Sequence, residues 1–573
     1  MKQQTINKKQ KKKLSCSVSK LISYSVSKLG GCLIILLFGH SVSAQNNFIN
    51  NSRLTGNFQM DAQYYIPDES IGADTVRDKI RANAFANINY TNSGFSAGFR
   101  YEFYQFPLID FENINYVGHG IPYYYAGYNH EYFEVRVGSF YEQFGNGLIY
   151  RSYENRNLGY DNATNGIRVK AKPYKGIQIT GIWGTQRNLF IKEGQIRGLD
   201  ADISFSEMFS KLSDNYVVFG IGGSILSKFQ TDNDPEFRMP QNVSAVAARL
   251  NFGYKDFNLN TEYAYKYNDP TSLNNKIYKH GEALIVNASY AMKGLGIFLT
   301  GMRTDNMDFR TNRNAQSNNN IINYIPTLTR EHTYALPSLY PYASQADGQI
   351  GFQAQVNYQI KKKSKLGGKY GTDIMINYSR IHGIKQNLVE EAVLAGKLEG
   401  TDGYTSPFFG VGDLLFQDFN FEISRKFNSI WKLSLGYVFL IYNQKVIEGH
   451  NEPNIESHTA IADLTCRFNN KHALRLELQH LYTEQGKGNW VYGQLEYSIS
   501  PKWFISLLDR YNYGNKDTKQ QIHYYGIGGS FVYKTTKVSL NFGKQYEGIL
   551  CVGGVCRAVP ASYGAGISIT SSF

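Results

Sequence analysis

The sequence predicts an all-β protein, a single large transmembrane antiparallel β-barrel of about 24 strands (about 22–26) with no plug domain. Three observations carry that expectation. Apolar and polar residues alternate with period two along most of the chain. The connections between these stretches alternate between short and long. A chain that opens on an export leader closes on an alternating stretch ending in Phe573.

Composition narrows the class first. Hydrophobic residues make up 42% of the 573, yet mean hydropathy is negative. No stretch approaches the roughly 18 apolar residues that a spanning helix needs. Aromatic residues reach 14%, with 44 Tyr, which suits amphipathic rings placed at both edges of a membrane-facing band. The net charge of +13 is largely a property of the N-terminus, because residues 1–44 hold eight Lys and no acidic residue, leaving +5 for the remainder. The remaining charges are scattered singly, so the composition gives no basic face and no nucleic-acid partner.

The N-terminal stretch reads as a cleavable signal peptide over residues 1–44, followed by the barrel over 45–573. Lys8, Lys9, Lys11, Lys12 and Lys13 form a basic region, Cys32 to Phe38 a short apolar core, and Val42-Ser43-Ala44 a small-residue exit before Gln45. Cys32 lies inside the apolar core, which argues against lipoprotein processing. The bland alternative is an uncleaved interfacial anchor. The segment 45–53 before the first expected strand leaves no room for the plug of a TonB-dependent transporter or for the periplasmic domains of an assembly-factor barrel.

Within the barrel, Ile80, Ala82, Ala84, Ala86, Ile88 and Tyr90 share one face, opposite Arg81, Asn83, Asn87 and Asn89. Ala460, Ala462, Leu464, Cys466 and Phe468 oppose Thr459, Asp463, Thr465 and Arg467. Leu474, Leu476 and Leu478 oppose Arg475, Glu477 and Gln479, and Phe419, Phe421 and Ile423 alternate with Asp418, Asn420, Glu422 and Ser424. A soluble sandwich also alternates. Mid-strand charges and recurrent strands long enough to cross a bilayer at a tilt favour a barrel with a wet lumen. Short connections fall at 91–94, 172–176, 254–257, 468–471, 500–502 and 533–536. Longer ones are expected near 66–78, 107–121, 140–164, 186–198, 228–240, 304–346, 383–414, 444–456 and 548–561. The segments near 122–139 and 198–207 alternate weakly.

Three cysteines follow the leader. In Cys551-Val-Gly-Gly-Val-Cys556, Gly553 and Gly554 supply the two positive-φ residues of a tight hairpin turn. Val552 and Val555 then form the hydrogen-bonded pair, and Cys551 and Cys556 the closer non-hydrogen-bonded pair, at disulfide separation. Free thiols or two metal ligands are the alternatives, and no His or further Cys is near to complete a metal site. Cys466 sits on the apolar side of its strand as a small lipid-facing residue.

The connection at 140–164 combines Gly145 and Gly147 with aromatics and charges. Folded inward, it would bring Arg151, Glu154, Arg156 and Asp161, with Arg168 on the following strand, to a lumen constriction whose mixed charge selects among polar solutes. Folded outward, the same charges are simply solvated. Asp232-Asn-Asp234-Pro-Glu236 offers carboxylates to Ca²⁺, but such clusters more often build turns. The sequence lacks a Gly-x-Ser-x-Gly elbow, a His-Glu-x-x-His pair, a phosphate-binding loop and Cys/His zinc spacing. The expectation is therefore a non-enzyme with no catalytic, metal or cofactor-binding residues and no cofactor.

The Cys551-Val-Gly-Gly-Val-Cys556-Arg557 loop before the terminal Phe strand, together with the Gly-, Tyr- and Arg-rich stretch from Gly138 to Arg168, resembles an uncharacterised family of Bacteroidota outer-membrane barrel proteins. The resemblance implies location in the cell outer membrane and leaves activity open. Two roles remain: a porin-like channel for hydrophilic solutes, or a non-conducting accessory component of an outer-membrane assembly or secretion complex. The implied partners are outer-membrane lipid, the barrel-assembly machinery during biogenesis, and outer-membrane proteins docking through the long loops.

Overall fold

The computed structural model describes residues 52–73, 78–106, 108 and 117–573. The expected leader lies outside them. The chain forms one 24-stranded antiparallel sheet that closes on itself. Its first strand, Ser52–Tyr65, pairs on one side with Ile80–Asn92 and on the other with the last strand, Ser562–Ser572. Closure leaves no edge with unpaired N–H and C=O groups, which a chain inside hydrocarbon must avoid. Phe573 completes the seam: its N–H donates to the Gly56 carbonyl and its carbonyl accepts from the Gly56 N–H, both at 3.0 Å. A Cβ on Gly56 would come within 2.4 Å of the Phe573 ring, so the terminal aromatic can pack there only against glycine.

The period-two reading assigns the faces. Outward positions near mid-height carry Leu299, Ile376, Phe419, Leu478, Leu507, Ile527 and Leu540, all exposed. Towards the rim of short turns the outer surface carries Tyr254, Phe257, Trp431, Phe468, Trp503 and Tyr533, and towards the other rim Tyr64, Tyr124, Tyr263, Tyr482 and Tyr525. An apolar band between two aromatic girdles is what lipid contact demands, and such a band facing water would be an aggregation surface. His480, on this outer wall, bonds the Tyr513 hydroxyl at 2.7 Å. Cys466 also lies on the outer side, covered by its neighbours, and is a free thiol.

One rim consists mostly of tight turns, such as Tyr533-Lys534-Thr535-Thr536, where Lys534 takes φ 52°. It departs from that pattern at 205–216, where two short helices interrupt the chain, and at 361–371. The other rim carries the long connections. The long segment expected near 186–198 is absent: strands Ile177–Asn188 and Ile191–Ser204 run together through a two-residue turn, with Leu189 at φ 54°. The polar residues there belong to strand faces, which composition alone mistakes for a loop. Conversely, 267–280, 483–489 and 512–522 are further connections on that rim. The weak stretches 122–139 and 198–207 lie in strands Gly118–Asn129, Phe133–Phe140 and Ile191–Ser204, the last running on into a short helix from Phe205.

The largest departure from a wet lumen is inside. The half of the lumen beneath the long-connection rim holds a hydrophobic core. Inward residues Ile182, Ile196, Leu226, Ile381 and Leu440 pack there against Phe144, Leu148, Ile149, Phe309, Leu328 and Leu336 from the connections. The connection 306–347 enters the barrel and crosses it. Its Ile321 carbonyl accepts from Gln186 Nε2 at 2.6 Å on the seventh strand, and its Leu336 N–H donates to Gln479 Oε1 at 2.9 Å on the nineteenth. Those strands stand half a circumference apart, so the segment spans the diameter. A barrel of this size leaves an aqueous lumen unless something fills it, and here the chain's own connections fill part of it.

Candidate functional site: the lumen cavities and their charges

Three connections build the interior. Residues 141–163 fold inward and form two miniature ladders, Glu142–Gln143 with Arg151–Ser152 and Glu154–Asn155 with Tyr160–Asp161. They join the crossing segment through backbone bonds: the Arg151 N–H donates to the Ile322 carbonyl at 2.8 Å and the Tyr324 N–H to the Gly147 carbonyl at 2.9 Å. The third element is the hairpin Gly548–Val552 with Val555–Val559. Cys551 and Cys556 are register partners joined by a disulfide with a Cα separation of 4.1 Å, and Gly553 and Gly554 take φ 61° and 83°. The tip points inward. The Gly553 carbonyl accepts from the Tyr324 hydroxyl at 2.7 Å, the Gly554 carbonyl from the Ser344 N–H at 3.0 Å, and Glu331 accepts from the Gly553 N–H.

The five constriction residues expected from sequence separate into three environments. Glu154, Arg156 and Asp161 come together in one network. Glu154 pairs with Arg100 at 2.9 Å and with Arg156 at 2.7 Å, and Arg156 also donates to Gln59 at 2.6 Å. Asp161 accepts from both Arg100 and Arg187 and from the Tyr141 hydroxyl. Glu102, fully buried, lies between the two arginines, at 2.6 Å from Arg100 and 2.5 Å from Arg187. Arg168 stands apart, with Glu134 and with Glu142 at 3.2 Å. Arg151 has no part in either cluster: its guanidinium lies 4.3 Å from the ring centre of Tyr153 and 4.0 Å from that of Tyr324. Arg100, Glu102 and Arg187 were missed by sequence reasoning. The available signal was alternation, which places Arg100 and Glu102 on the inward face.

In the first network three arginines meet three carboxylates. Its field closes largely on itself, as burial requires of charges in a low-dielectric interior. Elsewhere the crossing segment makes its own polar contacts: His332 and Thr329 both reach Asp418 Oδ2 at 3.0 Å, and Arg330 meets Glu422 at 3.4 Å.

Two cavities remain between these elements and the wall formed by the first and last strands. One, of about 780 Å³, is bordered by Glu102, Arg156, Asp161 and Arg187. The other, of about 690 Å³, is bordered by Tyr340, Arg510, Tyr524 and Tyr546. They adjoin, since Gln63, Asn541, Leu550, Arg557 and Gly566 border both. The disulfide hairpin stands along their common margin.

Asp232 and Asp234 build a turn. Asp234 accepts from the N–H groups of Glu236 and Phe237, each at 3.0 Å, and pairs with Lys276 at 3.0 Å. The backbone bond from Glu236, then Lys276 and the bond from Phe237, hold its carboxyl down at about 2, from an ordinary 3.8. A depressed carboxylate stabilises its contacts above the unfolded value and loses that contribution as pH falls through the folded one. At pH 4 pepsin should therefore cut the native protein within 230–241 more slowly than Asp234→Ala, and near pH 2 that difference should largely disappear. Equal cutting of the two proteins at pH 4 would refute the role of this carboxylate. Among the described residues, no three His, Cys, Asp or Glu side chains converge as a metal site.

Solved structures with a similar course of the chain include the P pilus usher translocation pore PapC, 10% identical, with a TM-score of 0.41 over 91% of this chain and 99% of that one. The siderophore receptor PirA from Pseudomonas aeruginosa is 9% identical, with a TM-score of 0.39 over 92% and 81%. A triple mutant of the Rhodopseudomonas blastica porin is 11% identical, with a TM-score of 0.25 over 62% and 98%. These are likenesses of fold alone. No curated protein matches the sequence. A family profile does: the family of unknown function DUF6029 matches residues 26–573, and the chain belongs to that family.

Proposed function

We propose that the protein resides in the cell outer membrane and acts as a restricted, porin-like conduit for hydrophilic solutes. The observation that carries this reading is the pair of adjoining cavities, about 690 and 780 Å³, that the inward-folded connections leave open along a polar wall. The outer band of apolar residues between aromatic girdles supports the membrane location. Polar groups at a narrow point select among solutes by charge and hydrogen bonding. The purified barrel in planar bilayers is expected to give discrete conductance steps well below those of an unobstructed barrel of this strand number. A correctly folded barrel that leaves the bilayer sealed would overturn the reading.

A second reading, an accessory component of an outer-membrane assembly or secretion complex, is favoured by one surface. On the connection between strands Thr372–Ile384 and Val411–Lys426, Leu394 and Phe409 are 80% and 82% exposed, beside exposed Leu388 and Val393. Four exposed apolar side chains on one connection are more than the single scattered ones a surface ordinarily carries. Extraction in mild detergent followed by mass spectrometry tests it, and recovery of the barrel alone counts against it.

A further inference from the structure

Most inward-facing arginines of the barrel wall are matched by an acceptor. Arg100, Arg168, Arg187, Arg249, Arg303 and Arg475 each engage at least one carboxylate. A guanidinium taken partly out of water is costly unless paired and hydrogen-bonded. Arg136, the register partner of Arg168, donates instead to the Ser139 carbonyl and the Tyr123 hydroxyl, each at 3.1 Å. Among the described residues, Arg510 has neither kind of partner. It sits on the strand Trp503–Tyr511 with its register partners Tyr492 and Tyr524 on either side, so that face offers it phenol rings and no carboxylate. Among the described residues it has no ion pair and no hydrogen bond to its side chain. It borders the cavity of about 690 Å³.

The rest of that cavity is arranged around the unmatched charge. Glu547, one bordering carboxylate, is taken by Lys487 at 2.6 Å, and another, Glu331, by the Gly553 N–H. Tyr524 is fixed by ring contacts with Trp490 and Tyr546, whose centroids lie 6.1 and 5.3 Å away. Its hydroxyl has no hydrogen-bond partner among the described residues. On the adjoining strands the bordering positions Gly526, Gly528, Gly564 and Gly566 carry no side chain to occupy the space.

We propose that this cavity is a binding site for an oxyanion-bearing solute, with Arg510 and the Tyr524 hydroxyl as its donors. A guanidinium presents its donors in a planar fork that matches carboxylate and phosphate oxygens two at a time. The bordering rings of Tyr340, Tyr524 and Tyr546 supply an apolar wall for the remainder of the solute. The neighbouring cavity differs in kind. There Arg156 and Arg187 are already paired with Glu154, Glu102 and Asp161, and Arg557, which borders both cavities, donates to the Asn157 carbonyl at 3.0 Å. This assignment rests on the conduit reading for its place on a solute path and deepens it by naming the class of solute.

The test is calorimetric titration of the purified, folded barrel at low salt with inorganic pyrophosphate and, separately, with citrate. Saturable binding of at least one is expected. Arg510→Gln should weaken it at least tenfold, Arg510→Lys less, and Tyr524→Phe several-fold, all with unchanged heat-modifiable migration of the folded barrel on gels. Tighter pyrophosphate binding identifies a phosphate-bearing solute, and tighter citrate binding a carboxylate-bearing one. Absence of saturable binding of both, or binding that survives Arg510→Gln undiminished, overturns the site. The two readings fail separately. Arg510-dependent binding in a barrel that passes no current overturns the conduit and leaves the site, while current without such binding does the reverse.

Discussion

Replacing Glu102 by Ala is expected to cost the barrel about 3 kcal/mol of stability, the lower end of what breaking a buried ion pair costs. Glu102 is fully buried between Arg100 and Arg187 and also accepts from the Tyr104 hydroxyl at 3.0 Å. Removing it takes one partner from two guanidinium groups and from a phenol at once. The loss stays at the lower end because Asp161 still serves both arginines. Urea unfolding of the barrel in detergent measures it. Adding Arg187→Ala to Glu102→Ala should recover part of the loss, since the double variant no longer leaves that charge unmatched. A loss below about 1 kcal/mol would place the network among exposed pairs of little consequence.

The second large effect is expected from shortening the crossing segment. Asp305 and Gly348 are register partners at the ends of strands Leu295–Asp305 and Gly348–Ile360, so 306–347 can be replaced by a two-residue hairpin turn without disturbing the ladder. The variant should still fold as a closed barrel and conduct several-fold more than the native protein. It should also melt lower, because Phe309, Leu328, Leu336 and Tyr342 are almost wholly buried, and each such side chain contributes about 1.5–3 kcal/mol. Unchanged conductance would show that this segment does not restrict the lumen.

Much of the barrel could be read from sequence because period two is a local property. The assignment of Ala460, Ala462 and Leu464 to one face and Asp463 and Thr465 to the other needed only neighbouring residues. The pairing of Cys551 with Cys556 likewise followed from a six-residue segment. What alternation cannot give is the medium on the inner side. Ile196, Leu226 and Leu440 face inward and are buried completely, yet the residues that cover them arrive from connections distant in sequence. The same distance hid the charge network. Arg100 and Asp161 are 61 residues apart and Arg187 and Glu102 are 85 apart, so no spacing marks them as partners. Glu154, Arg156 and Asp161 drew attention through their density within one segment, whereas Arg151 and Arg168, in the same stretch of sequence, are turned to other neighbours by the fold. The misplaced loop near 186–198 has a simpler cause: strand faces that line a charged interior are as polar as a loop.

The hairpin at 548–559 also sets an order of events in biogenesis. It immediately precedes the strand Ser562–Ser572, whose pairing with Ser52–Tyr65 closes the ring. Its tip ends inside that ring, held by Tyr324, Glu331 and Ser344. A protein-sized thiol oxidant cannot follow it there. The Cys551–Cys556 bond is therefore expected to form while the last strand is still free, so that the chain reaches the closing step with its innermost wedge already locked.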